Sequence, residues 1–90
     1  MAKVRFTTAL NSFFPDLKDI EVNGSNVHEV LSNVEMQFPG ISNYLREENG
    51  ELRKHVNVFV QGKLIKDRQG LSDKVNGDHK ILVIQALSGG

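Results

Sequence analysis

The residues whose type and position could carry chemistry are the last two, Gly89 and Gly90. Glycine has no Cβ, so its backbone takes conformations closed to other residues and passes close to another surface. A carboxylate carried on such a slim end can be threaded into a narrow active site belonging to another protein. Ser88 and Ala86 keep the approach narrow, and Leu87 supplies one apolar handhold. The plain alternative is a frayed end of the ordinary kind. Catalytic constellations are not evident elsewhere. His28, His55 and His79 fall on a helix, a strand and a turn without ligand-like spacing, so no metal site is expected. Ser12, Ser25 and Ser42 lack the context of a nucleophile elbow, and Glu47-Glu48 reads as a solvated pair in a polar loop. There is no phosphate-binding glycine loop and no dinucleotide fingerprint.

Composition narrows the classes further. Ninety residues suffice for one core and not for two. With 39% apolar and 24% charged residues the chain reads as an ordinary globular protein. No apolar run approaches the roughly 20 residues that cross a bilayer. Lys3 and Arg5 alternate with Val4 and Phe6 instead of preceding an apolar block, which is not the pattern of a signal peptide. A cytoplasmic location is the resulting expectation. The absence of cysteine excludes disulfides, thiolate metal sites and a thiol nucleophile. Eleven cations balance eleven anions, so nothing marks a nucleic-acid binder. Lys63, Lys66 and Arg68 surround Asp67, as in a solvated turn.

The elements that must carry the end can be read from periodicity. Lys3 to Thr8 alternates, with Val4 and Phe6 on one face, as a half-buried strand does. Phe13, Phe14 and Pro15 make a connecting turn, and a second strand is expected over Leu17 to Val22, closed by Asn23-Gly24. The period then changes to that of a helix, through Val27, Val30, Leu31, Val34 and Phe38. Asn26 is its N-cap, with Glu29 three residues on as in a capping box, and Pro39-Gly40 stops it. Ile41 to Leu45 adds a short turn, and Glu47 to Glu51 a polar loop. His55 to Gln61 is the clearest strand, with Val56, Val58 and Val60 on one face. Gly62-Lys63 turns the chain into a short strand near Leu64 and Ile65. Lys80 to Leu87 has the β-branched and aliphatic character of a central strand. One helix covers only one face of such a sheet and leaves the other open. The expected fold is therefore α+β with the element order of a β-grasp domain, having a mixed sheet of four or five strands over residues 1–86. Residues 87–90 are expected to follow it as a flexible diglycine tail.

With these residues in place the chain resembles the MoaD/ThiS group of ubiquitin-like sulfur-carrier proteins. Gly77-Asp78 before the last strand, then Ile84-Gln85-Ala86-Leu87-Ser88-Gly89-Gly90, is similar to the ending "GD…I-P-A-V-x-G-G" of that family. Gln37-Phe38-Pro39-Gly40-Ile41, Val56-Asn57-Val58-Phe59-Val60 and Gly70-Leu71 look most like the branch that delivers sulfur for cysteine or related amino acids. Two departures stand out. Gln85 occupies the usual proline position, and one extra residue before the last strand, at His79-Lys80, suggests a β-bulge.

The resemblance implies a definite chemistry. The Gly90 carboxylate would be adenylated by an E1-like adenylyltransferase that consumes ATP, then converted by sulfide or a persulfide into a thiocarboxylate. The chain would be a protein co-substrate, with no catalytic residue and no bound cofactor of its own. Its sulfur would go to an acceptor enzyme of cysteine or homocysteine synthesis, with molybdopterin or thiamine as other destinations. A metalloprotease would release the product. Gly89, Ser88 and Leu87 would be the recognised tail. The alternatives are a modifier conjugated to lysines through Gly90, and a scaffold in which the diglycine is incidental. Strand alternation also puts Phe59, Leu82 and Ile84 on the open face of the sheet, where three large apolar groups would make a docking patch for partners. Loops partly covering that face are the competing expectation. The chain alone is expected to be a monomer.

Overall fold

The computed structural model describes residues 1–7, 10 and 13–85. Five strands form one mixed sheet in the order β2-β1-β5-β3-β4. Strand β1 is Ala2–Phe6, β2 is Ile20–Val22, β3 is Val56–Val60, β4 is Lys63–Leu64 and β5 is Lys80–Gln85. Helix α1, Val27–Gln37, and the single turn α2, Ser42–Leu45, lie between β2 and β3. This is the β-grasp arrangement. Strand β5 runs parallel to β1, with Val4 opposite Ile81 and Phe6 opposite Val83. It runs antiparallel to β3, with Val58 opposite Val83.

Alternation sorts the sheet into two faces. Val4, Val56, Val58, Ile81 and Val83 are all at most 1% exposed and meet Val27, Val30, Leu31 and Val34 of α1. Leu10, Leu17, Leu45, Leu52, Leu71 and Val75 close the rim of this core.

Local chemistry starts and stops α1. Asn26 Oδ1 accepts from the Glu29 amide at 2.8 Å, as an N-cap does. The Glu29 carboxylate reaches one residue further back than a capping box requires. It accepts from the amide and hydroxyl of Ser25 at 2.8 and 2.9 Å. Those bonds hold its carboxyl below the usual range. At the other end the Phe38 amide closes on Val34, and Glu35 accepts from the amides of Gly40 and Ser42 across the Pro39-Gly40 break.

Several boundaries differ from the sequence expectation. The second strand begins at Ile20, and Leu17 instead enters the core from the preceding turn. The turn between β3 and β4 is Gln61-Gly62, one residue earlier than expected, because Val60 pairs with Lys63. Both turn residues have positive φ, 53° and 82°, the signature of a type I′ hairpin that matches strand twist. Gln61 tolerates this conformation while anchored to β5: its amide donates to Lys80 O, and its side-chain oxygen accepts from the Lys80 amide. No bulge interrupts β5 among the described residues, since it keeps register with both neighbours. The extra residue is taken up in the turn before the strand, where the His79 amide donates to Asn76 O and His79 Nδ1 accepts from the Asn76 amide. The expected end of this strand, residues 86 and 87, lies outside the described residues.

The loop after β4 is held by Asp67. Its carboxylate accepts from the Ser72 hydroxyl at 2.6 Å and from the amides of Gly70, Gln69 and Ser72. These donors, led by the Ser72 hydroxyl, lower its carboxyl to about 2. Arg68, expected as a solvated cation, instead braces the loop against β3, donating to Asn57 Oδ1 and Arg53 O.

Three outcomes follow. Leu31→Ala should cost about 2–5 kcal/mol in urea unfolding, as for other buried leucines. Gly24→Ala should also destabilise, by roughly 1–3 kcal/mol of overpacking, because a Cβ there would lie 2.7 Å from a Val30 methyl and 2.8 Å from its amide nitrogen. A depressed folded-state pKa means that the Asp67 contribution is present above the unfolded value of 3.8 and is lost as pH falls through about 2. Asp67→Asn should therefore flatten the acid limb of a stability-against-pH curve in that window.

Candidate functional site

The face of the sheet turned away from α1 carries a row of side chains set by strand register. Leu82 on β5 lies opposite Arg5 on β1 and Phe59 on β3, and Phe59 lies opposite Leu64 on β4. Ile84 is two residues further along β5. Phe59, Leu82 and Ile84 are half-buried, and Leu64 is 50% exposed. Phe59, Leu82 and Ile84, with Lys3, Arg5, Asp19 and Glu21, line a shallow depression of about 950 Å³. The structure thus brings Phe59, Leu82 and Ile84 together. It adds Leu64, whose orientation depended on the two-residue hairpin and could not be read from its own neighbours.

The apolar row is bounded by charge. Arg5 forms a two-point pair with Asp19, at 3.0 Å for each contact, and both side chains are well exposed. The hydrogen bond from Arg5 lowers the Asp19 carboxyl and raises the guanidinium in turn. Lys3 sits between Glu21 on β2 and Lys80 on β5. An apolar strip with a mixed-charge edge can bury area against a partner while the rim sets its orientation.

The end of β5 is the other feature of interest. Gln85 lies opposite Val56 at the sheet's last described pair. Its Nε2 donates to Tyr44 O at 3.4 Å and lies 3.4 Å from His55 Nε2. Its buried Oε1 has no hydrogen-bond partner among the described residues. Beside it four aromatic rings are packed. Phe14 meets Phe38 and Tyr44 edge-on, while Phe13 stacks on Tyr44 with ring centroids 4.9 Å apart. This cluster was missed in the sequence, where Phe13 and Phe14 read as punctuation between strands. Two adjacent aromatics in a connecting segment were the available signal. Leu87, Ser88, Gly89 and Gly90, the expected chemical end, lie outside the described residues.

The histidines are engaged separately: His28 Nδ1 lies 3.1 Å from Arg46 Nη2, His55 faces Gln85, and His79 closes the turn before β5. Among the described residues no group of three or more His, Asp or Glu side chains is placed to hold a metal ion.

Comparison with known proteins gives a consistent result. The profile described as the ThiS family matches residues 4–90. The sulfur carrier protein CysO of Mycobacterium bovis is 25% identical over 89 residues, covering 97% of this chain and 96% of that protein. A chain in the crystal structure of the Amycolatopsis orientalis BexX/CysO complex is 27% identical, covers both chains completely and superposes with a TM-score of 0.86. SAMP1 of Haloferax volcanii, at 19% identity, covers 99% of this chain and 98% of its own, and shares the fold with a TM-score of 0.78.

The two faces of β3 should respond differently to charge. Phe59→Asp, on the open face, should leave a cooperative thermal transition within several degrees of wild type. Val58→Asp, at a position with 0% exposure, would bury an unpaired carboxylate. That costs several kcal/mol and should leave the chain largely unfolded by circular dichroism.

Proposed function

Because the chain belongs to the ThiS family, we propose that it is a sulfur carrier, a protein co-substrate that holds sulfur on Gly90 as a thiocarboxylate. The observation that carries this reading is the family match across nearly the whole chain, together with sulfur-carrier relatives aligned over 97% of it. A carboxylate is a poor electrophile because its charge is delocalised and it lacks a good leaving group. In the proposed reaction the Gly90 carboxylate attacks the α-phosphorus of ATP on an E1-like adenylyltransferase, releasing pyrophosphate. Hydrosulfide then adds to the acyl carbon and AMP leaves, so one carboxylate oxygen departs with AMP and sulfur takes its place. The product is nucleophilic at sulfur, and the protein keeps it from being lost as free sulfide.

The acceptor we favour is an enzyme of cysteine or homocysteine synthesis. In the cysteine case the thiocarboxylate sulfur would displace the leaving group of an activated serine derivative, and a protease would free the product from Gly90. Gly89, Ser88 and Leu87 would form the segment that enters each active site. The strip of Phe59, Leu82 and Ile84 would be the docking surface for the activating enzyme, since its half-buried apolar groups and charged rim offer area without disturbing the core.

Intact mass spectrometry after incubation with an E1-like adenylyltransferase, ATP and sulfide is the deciding measurement. The expected result is a mass gain equal to exchange of one oxygen for sulfur, absent in a variant lacking Gly90 that keeps the wild-type melting temperature. Lysine adducts would instead support a protein modifier, and no change with a demonstrably active partner would support a scaffold. In the same assay Phe59→Asp should slow adenylation at least about tenfold, the size of one interface hot spot.

A further inference from the structure

Two lysines lie opposite each other in the middle of the sheet. Lys3 on β1 pairs with Lys80 on β5, and in the order β2-β1-β5-β3-β4 both belong to interior strands. Edge strands commonly carry lysine to block pairing with other chains, but neither of these strands is an edge. Both side chains are exposed and share the open face, since their neighbours Ala2, Val4 and Ile81 are buried in the core. Adjacent strands are about 4.8 Å apart, so the two stems start close together and the charges repel. Glu21 lies opposite Lys3 on β2, yet among the described residues the ion pair on this face is that of Arg5 with Asp19, and neither lysine has one. The lysines border the same depression as Phe59, Leu82 and Ile84. The helix side has the opposite sign. Over residues 27–51, which carry both helices and the loop after them, five glutamates stand against one arginine in a chain of zero formal net charge.

We propose that the open face receives an acidic protein segment, one whose carboxylate bridges Lys3 and Lys80 while an apolar side chain beside it lies on Leu82 and Phe59. Lys80 and Leu82 are two residues apart on one face of β5, a step of about 7 Å, which sets the spacing of the two groups on the partner. The proposal deepens the docking surface proposed above and rests on that reading, adding the chemistry of what docks. A carboxylate between the lysines offsets their repulsion, so the contact that attracts the partner also relieves a cost in the free chain. At an exposed rim such a charge governs approach and orientation more than affinity. The acidic helix side repels the same partner, which leaves it one face to approach. A bare anion meets the lysines but gains nothing from the apolar strip, whereas an acidic segment with an apolar group uses both.

The experiment is an amide NMR titration of the full chain with two peptides. In one, serine alternates with glutamate, leucine, leucine and glutamate in turn; in the other, lysine replaces both glutamates. The glutamate peptide should move the amide signals of Lys3, Phe59, Lys80 and Leu82, and added salt should weaken the effect. The lysine peptide should bind at least about tenfold more weakly, the scale of one such charge contact. Lys3→Glu combined with Lys80→Glu should reverse the preference. Lys3→Gln combined with Lys80→Gln, which only removes charge, should abolish it, and both variants should keep a cooperative thermal transition. An equal response to both peptides, no response on this face, or the same shifts from inorganic phosphate alone would overturn the proposal. With an active E1-like adenylyltransferase, the double glutamate variant should lose at least about tenfold in kcat/KM with little change in kcat, and an unchanged kcat/KM would also overturn it. Failure of the wild-type chain to be adenylated would count against the sulfur-carrier reading alone, because the peptide titration needs no enzyme and decides the docking chemistry by itself.

Discussion

The structure depends on β5 being flanked on both sides. Its main-chain groups are shared between β1 and β3, its inward side chains Ile81 and Val83 fill the centre of the core, and its outward side chains Leu82 and Ile84 make the middle of the open face. A strand in that position cannot slip by one residue without exchanging the two sets. The last strand of the chain is therefore also its best-held strand, and whatever follows Gln85 starts from a fixed point. For a protein whose chemistry is proposed for its final residues, that is the useful property: the proposed reactive end would start from a base that stays in place.

The two faces of the sheet divide the work. Toward α1 the side chains are aliphatic and almost wholly shielded, and the N-cap at Asn26 and the Glu35 bonds across Pro39-Gly40 set the length of the helix that covers them. Toward solvent, Leu82, Phe59 and Leu64 run in line from the Arg5–Asp19 pair. That ion pair is well exposed and adds little to stability. Its position at the edge of the strip suits it to orienting a partner, because charge at a rim governs approach more than affinity.

Loops carry constraints of their own. Asp67 gathers four donors and so fixes the turn that presents Leu71 to the core, although Leu71 has a φ of 56°. A non-glycine residue in that region is uncommon, and here its burial at 0% exposure accompanies the strain. Gln61 is the second such case, and its two bonds to Lys80 join the hairpin of β3 and β4 to the central strand. In both places backbone freedom is exchanged for a fixed edge around the sheet.

The alternation of Val56, Val58 and Val60 and the spacing of Val27, Val30, Leu31 and Val34 settled the strand, the helix and their buried faces from the sequence alone, because those periods follow from local backbone geometry. Element order then limited the layout to one helix on one face. The diglycine ending and its neighbours were legible as a family likeness for the same reason: they are a contiguous string. Register and cross-chain meetings were not legible. The pairing of Phe59 with Leu64 turned on a hairpin that begins one residue before the obvious glycine. The missing bulge turned on a histidine that caps its own turn. The gathering of Phe13, Phe14, Phe38 and Tyr44 beside Gln85 joins positions up to 72 residues apart in sequence. No local rule encodes such contacts. They exist because packing around one core leaves each surface segment a single place to lie.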